Sequence, residues 1–121
     1  DQVHVLLVED VEMNQLVACS ILEEYGATVT IANNGQACIE QVQVNEFDVI
    51  LMDIQMPIMD GITATNVIKQ QHLADNSPII ALTANVFKED IEGYLAIGMA
   101  AHIPKPFKPN DMIDTIEAAL K

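Results

Sequence analysis

Short apolar runs, each followed by a stretch of helical period, recur along the whole sequence, and this alternation limits the fold more than any single residue does. Val3–Val8 (VHVLLV) is apolar at nearly every position, as a strand covered on both faces is. Residues 11–25 change to helical spacing: Val17, Ala18, Ile21, Leu22 and Tyr25 form a stripe, and Gly26 is placed as its C-cap. Thr28–Ala32 reads as a second strand, and Asn33-Asn34-Gly35 turns into a helix near 36–46. Asp48–Met52 is the third strand, and Asp60-Gly61 marks the loop before a helix near 63–72. Pro78–Leu82 is the fourth, followed by a helix near 86–97 closed by Gly98. A short fifth strand near Ala101–Ile103 leads to a last helix striped by Met112, Ile113, Ile116 and Leu120. Right-handed crossovers put such helices on both faces of a parallel sheet, so a single doubly wound α/β domain is expected.

In sheets of this kind, ligands sit beyond the carboxyl ends of the strands. The residues there are Glu9 and Asp10 after the first strand, Asp53 ending the third, Thr83 after the fourth and Lys105 after the fifth. Asp53 closes the run VILMD, and a buried charge without a partner costs several kcal/mol or shifts its pKa. Either Asp53 lies at an exposed strand end or a cation waits for it. Clustered carboxylates repel unless some protonate or a cation binds. An all-oxygen donor set with no His or Cys beside it favours a hard ion, and Mg²⁺ suits one or two carboxylates plus phosphate oxygens. An Asp in such a site can attack phosphorus and form an acyl phosphate. Lys105 offers a point charge and Thr83 a hydrogen bond to phosphoryl oxygens.

The acidic balance narrows partners. Eighteen Asp and Glu stand against five Lys, with no Arg. A nucleic-acid groove needs a basic footprint, so no nucleic-acid partner is expected. No stretch has the apolar length of a membrane span and none has signal-peptide grammar, so no direct membrane insertion is expected. Cys19 and Cys38 fall within helical patterns without metal-type spacing and read as reduced packing residues of a cytoplasmic protein. The chain opens at Asp1 without Met and reaches a strand within three residues, as expected of a domain excised from a longer chain.

The motifs VLLVED, VILMDIQMPIMDG, PIIALTAN and IPKPF, in order on successive β/α units, resemble the response-regulator receiver domains of two-component phosphorelays. The likeness covers residues 1–121. It implies a flavodoxin-like five-stranded parallel sheet of order 2-1-3-4-5, with Asp53 accepting a phosphoryl group from a phosphohistidine. Asp10 then matches the direct Mg²⁺ ligand and Glu9 a ligand acting through water, with the Gln55 backbone carbonyl completing the shell. Thr83, Ala84 and Lys105 match the phosphate-binding and switch positions, and the bond before Pro106 matches one that is typically cis. A histidine kinase transmitter or histidine phosphotransfer domain is the implied partner, and a homodimer stays open. The face formed by the fourth helix, fifth strand and last helix is implied to shift between two packings. VEDVEMNQLV, with Asn14, and ALTANVFKED resemble the receivers of hybrid sensor kinases, which would place the domain on the cytoplasmic side of a membrane-bound parent. On that reading the domain is not an enzyme with an external substrate; it catalyses only its own phosphorylation and dephosphorylation.

Three departures stand out. The switch position three residues before Lys105 is His102 rather than an aromatic Tyr or Phe, and Ala100-Ala101 is plainer than usual. Gln55 and Asn85 occupy positions that tune the access of water to the acyl phosphate. Other function classes fit less well. A haloacid-type phosphatase needs a second Asp two residues after the nucleophile, where Gln55 stands. A flavodoxin-like cofactor binder needs a glycine- and hydroxyl-rich loop in place of VEDVEMN. A silent pseudo-receiver would lack one of the reacting groups, and all are present. Taken singly, Glu9-Asp10 is an ordinary helix start, Asp60-Gly61 an ordinary turn, and His4 and His72 are surface residues. The methionines, Met13 among them, are most simply packing residues. On the first helix, a core stripe through Val17, Ile21 and Tyr25 would turn Leu16 and Cys19 outward and leave Met13 at its margin. Met13 and Leu16 are therefore the candidate docking surface for a helical partner.

Overall fold

The computed structural model describes residues 3–84 and 87–121. Strand and helix alternate as β1 (His4–Val8), α1 (Glu12–Tyr25), β2 (Thr28–Ala32), α2 (Gly35–Val44) and β3 (Val49–Asp53). They continue as α3 (Gly61–Gln70), β4 (Ile79–Thr83), α4 (Lys88–Ala96), β5 (Ala101–Pro104) and α5 (Pro109–Leu120). All neighbouring strands are parallel, in the order β2-β1-β3-β4-β5. The position expected for Asn85 lies outside the described residues.

Strand periodicity sorts the core into two layers. Leu6, Val8, Ile50, Met52, Ile79 and Ala81 pack on the side of α2, α3 and α4. Val5, Leu7, Val49, Leu51, Ile80, Leu82 and Ile103 pack on the opposite side, with Leu22 of α1 and Met112 and Ile116 of α5. Every residue of β3 and β4 is buried. Burying each large aliphatic side chain contributes about 1.5–3 kcal/mol, which is why these central runs carry no alternation with polar residues.

The turns follow local chemistry. Asn34 caps α2 by accepting the Ala37 N–H at 2.8 Å, and Asp60 caps α3 by accepting the Thr63 N–H at 2.7 Å. Gly26 closes α1 at φ 100°, a left-handed conformation that glycine takes without steric cost.

One expectation about α1 is corrected. Its buried residues are Ala18 and Leu22, flanked by the half-buried Cys19 and Ile21, whereas Val17 and Tyr25 are exposed. Of the expected stripe, Ala18 and Leu22 face the core and Ile21 flanks them, so the inward line runs along the i, i+4 pair 18–22 and not through Val17 and Tyr25, and Cys19 belongs to the inner side. Met13 is not a core residue, and with Leu16 it is largely exposed, at 67% and 61%. Leu120 in α5 is likewise exposed.

Candidate functional site

The parallel sheet brings the carboxyl ends of β1, β3, β4 and β5 to one edge, and each delivers a polar residue there. Glu9 follows β1, held in line by its N–H on the Ala32 carbonyl at 3.0 Å. Its carbonyl accepts from Gln15 Nε2, which also bonds Asn33 Oδ1. Asp53 is the last residue of β3, and Thr83 the last of β4. The Lys105 N–H donates to the Thr83 carbonyl at 2.9 Å, which fixes where the lysine leaves β5. The Lys105–Pro106 peptide is cis.

Asp53 is not at an exposed strand end. It is 3% exposed and Glu9 is fully buried. The Lys105 ammonium lies 3.0 Å from Asp53 Oδ2 and 3.1 Å from Glu9 Oε1. The Gln55 N–H donates to Asp53 Oδ1 at 3.2 Å, and the Val11 N–H to Glu9 Oε2 at 3.0 Å. Asp10 is the most open of the three carboxylates, and one oxygen from each of Glu9, Asp10 and Asp53 lies within 4.8 Å of the others. One ammonium thus pairs with two carboxylates while a third lies beside them.

That imbalance shows in the acidities. Burial, together with Glu9 beside it, pushes the Asp53 carboxyl up to about 6 despite Lys105. Burial also works to raise Glu9, but the Val11 N–H, Asp53 and Lys105 together hold it below the ordinary carboxylate value. The pair therefore holds one proton to a higher pH than a lone carboxyl would, and that proton favours Asp53. With both ionised, Glu9 Oε1 has no hydrogen-bond donor in good geometry, only the charge of the ammonium. A buried, under-satisfied carboxylate oxygen in an all-oxygen set fits a hard divalent cation.

Around this centre, Gly61 allows a close approach. A Cβ there would lie 2.1 Å from the Asp53 carbonyl oxygen, and the Gly61 N–H donates to Ile54 O at 3.1 Å. Ile58, exposed in the β3–α3 loop at φ 69°, is spanned by a Met59 N–H bond to the Pro57 carbonyl at 2.7 Å, a γ-turn. Ala84 follows β4 on the surface. His102 is half-buried on β5. A concavity of about 1190 Å³ lies at the other ends of the strands around His4, Asp48, His72 and Ser77, away from this chemistry. Both cysteines are free, and burial raises both thiols, Cys38 to about 12, so neither is a ready nucleophile.

Two contacts had no counterpart in the sequence motifs. Gln15 braces the Glu9 and Asn33 loops. Tyr94, buried on α4, places its hydroxyl 3.2 Å from Thr83 Oγ1. Both join residues far apart in sequence, and no local spacing announces either.

The comparisons with known proteins agree with this fold. The model of the response regulator receiver domain matches residues 5–117. The transcription factor SKN7 of Saccharomyces cerevisiae is 36% identical over 118 residues, covering 98% of this chain and 19% of that protein. The aerobic respiration control sensor protein ArcB of Escherichia coli is 42% identical over 104 residues, covering 85% of this chain and 13% of its own length. The chain thus spans less than a fifth of these relatives. Among solved structures, the receiver domain of the sensor histidine kinase PA1611 from Pseudomonas aeruginosa superposes with a TM-score of 0.90. It is 35% identical over 99% of this chain and 98% of that one, and carries a magnesium ion in its active-site cleft. No helix of the present structure, among the described residues, is long and apolar enough to cross a membrane. The fold, the edge of carboxylates and these likenesses together make the chain a member of the response regulator receiver domain family of two-component signalling.

Proposed function

We propose that the domain is the phosphoacceptor switch of a phosphorelay and that Asp53 carries the phosphoryl group. The observation that carries this reading is a strand-end aspartate, 3% exposed, set against two further carboxylates and 3.0 Å from a lysine ammonium. An ionised Asp53 oxygen attacks the phosphorus of a phosphohistidine. The new O–P bond forms as the P–N bond breaks, and the electron pair leaves on the imidazole, which takes up a proton.

Asp10, Asp53 and the Gln55 carbonyl would hold Mg²⁺ directly, and Glu9 through water. A Mg²⁺ held by these residues would supply positive charge against the carboxylates and the phosphoryl oxygens. The remaining work falls to the chain. Lys105 moves from the Asp53 carboxylate to the phosphoryl oxygens, while Thr83 and the Ala84 N–H donate to them. Thr83 turning toward the phosphoryl group shifts the population of the α4–β5–α5 face.

We further read Met13 and Leu16 as the contact for a histidine kinase transmitter or histidine phosphotransfer domain. The parent protein is then a hybrid histidine kinase, with this domain on its cytoplasmic side. The domain itself has no external substrate on this reading.

Beryllofluoride, a phosphoryl mimic, tests the site. Followed by amide chemical shifts, its binding is expected to require Mg²⁺ and to vanish in Asp53→Asn. It is also expected to weaken more in Asp10→Ala than in Glu9→Ala. Undiminished binding in Asp53→Asn would overturn the assignment.

A further inference from the structure

Thr83 ends β4 beside Asp53, and on the neighbouring β5 position 102 is a histidine only half-buried. Ala101 and Ile103 pack in the layer of α1 and α5, so strand alternation aims His102 toward the α4 side. On that same side the buried ring is Tyr94. It is 5% exposed and packs in the cluster containing Met52, Ile54, Ala81 and Met99. Its hydroxyl is 3.2 Å from Thr83 Oγ1.

The attachment of α4 makes this bond consequential. Among the described residues, Tyr94 is the one buried side chain of the helix. The N-cap residue, Phe87, makes no side-chain capping bond and is 69% exposed. At the other end, the Tyr94 carbonyl accepts the Met99 N–H at 3.1 Å as the chain turns through Gly98. The ring is thus the deepest anchor of the helix, beside the half-buried Ile91 and the C-cap residue Ile97, and its polar tip meets the hydroxyl at the end of β4. A buried phenol that loses its partner favours any packing that lets it reach water.

We propose that Tyr94, and not residue 102, is the aromatic group that couples Asp53 to α4. Its bond to Thr83 holds the helix seated, and it is released when Thr83 turns to a phosphoryl group. This rests on the phosphoacceptor reading of Asp53, and the ligand that operates the switch is that phosphoryl group. Removing the hydroxyl alone should therefore loosen α4 without any phosphate. It should also erase most of the response that phosphate would produce.

Hydrogen exchange of the α4 amides reads both effects. In the unliganded domain, Tyr94→Phe, which keeps the ring, and Thr83→Val, which keeps the shape, should each speed α4 exchange by roughly 3- to 10-fold, as expected for one buried hydrogen bond. The double variant should exchange more slowly than the product of the two single effects, since the Tyr94–Thr83 bond is common to both. Exchange unchanged in the single variants, or effects that multiply, overturns the tether. Beryllofluoride with Mg²⁺ should then speed α4 exchange in the wild type and change it little in Tyr94→Phe. An equal response in both sinks the coupling role of Tyr94 while leaving Asp53 as acceptor. Failure of beryllofluoride to bind the wild type removes the acceptor reading, and the proposal with it.

Discussion

At Asp53 two requirements compete for one carboxyl. Attack on phosphorus needs the anion, whereas burial and the neighbouring Glu9 favour the protonated form and raise its pKa from 3.8 to about 6. Between those values the folded chain holds a proton that the unfolded chain has released. Metal-free stability contributed by this group therefore falls as pH rises through that window and stays low above it. Glu9, held below its ordinary value, acts in the opposite sense, and its contribution is lost as pH falls through its folded pKa. Asp53→Asn should then raise metal-free stability at pH 8 by about 1–2 kcal/mol, because the amide donates to Glu9 as the protonated acid does. The gain should shrink by pH 4.5. Urea melts at the two pH values check this, and a variant less stable than wild type at pH 8 contradicts it. At this scale the sequence was partly legible. The strand ends named Glu9, Asp10, Asp53, Thr83 and Lys105, because alternation places them on one edge. That the cation waiting for Asp53 is already in place as Lys105, shared with Glu9 at 3.1 Å, depends on side-chain reach and is not written in spacing.

Helices and loops set how far those side chains can move. Gly61 opens α3 directly against Asp53, and an added methyl would sit 2.1 Å from the Asp53 carbonyl oxygen, a backbone atom that cannot swing aside. Gly61→Ala is therefore expected to cost about 1–3 kcal/mol and to slow phosphorylation by a small-molecule donor, through displacement of the Asp53 backbone. Thermal melts paired with donor kinetics read the two effects, and wild-type values for both contradict the packing argument. On α1, helical period revealed an amphipathic element and included Ala18 and Leu22, which face the sheet, but drew the stripe too wide, taking in the exposed Val17 and Tyr25. The direction of the neighbouring sheet, and not hydrophobicity, decides between such adjacent lines. Leu16 at 61% exposed keeps its outward place. Leu16→Asp should leave stability within about 0.5 kcal/mol of wild type. It should selectively impair transfer from a histidine phosphotransfer domain while small-donor phosphorylation is retained. Equal loss of both activities, or of neither, returns Leu16 to the ordinary class of lone exposed apolar residues.

For the molecule as a whole, the rhythm of strand and helix made the architecture readable, because right-handed crossovers leave few ways to fold five parallel units. The observed strands begin and end within about two residues of the apolar runs, which is the usual ambiguity of element ends. What the rhythm left hidden were the contacts between layers, Gln15 with Glu9 and Tyr94 with Thr83, which exist only once the sheet has brought distant loops together. The same assembly joins the proposed chemistry at one edge to α4 beside it, through the Thr83–Tyr94 contact. Everything in this account passes through a phosphoryl group on Asp53, so mapping that adduct is the most direct test. After incubation with a small phosphodonor and Mg²⁺, peptide mapping is expected to find one acid-labile, hydroxylamine-sensitive phosphate, at Asp53, absent when the metal is chelated and absent in Asp53→Asn. An adduct of the same lability and amount in Asp53→Asn, or one mapped to another residue of the wild type, contradicts the account.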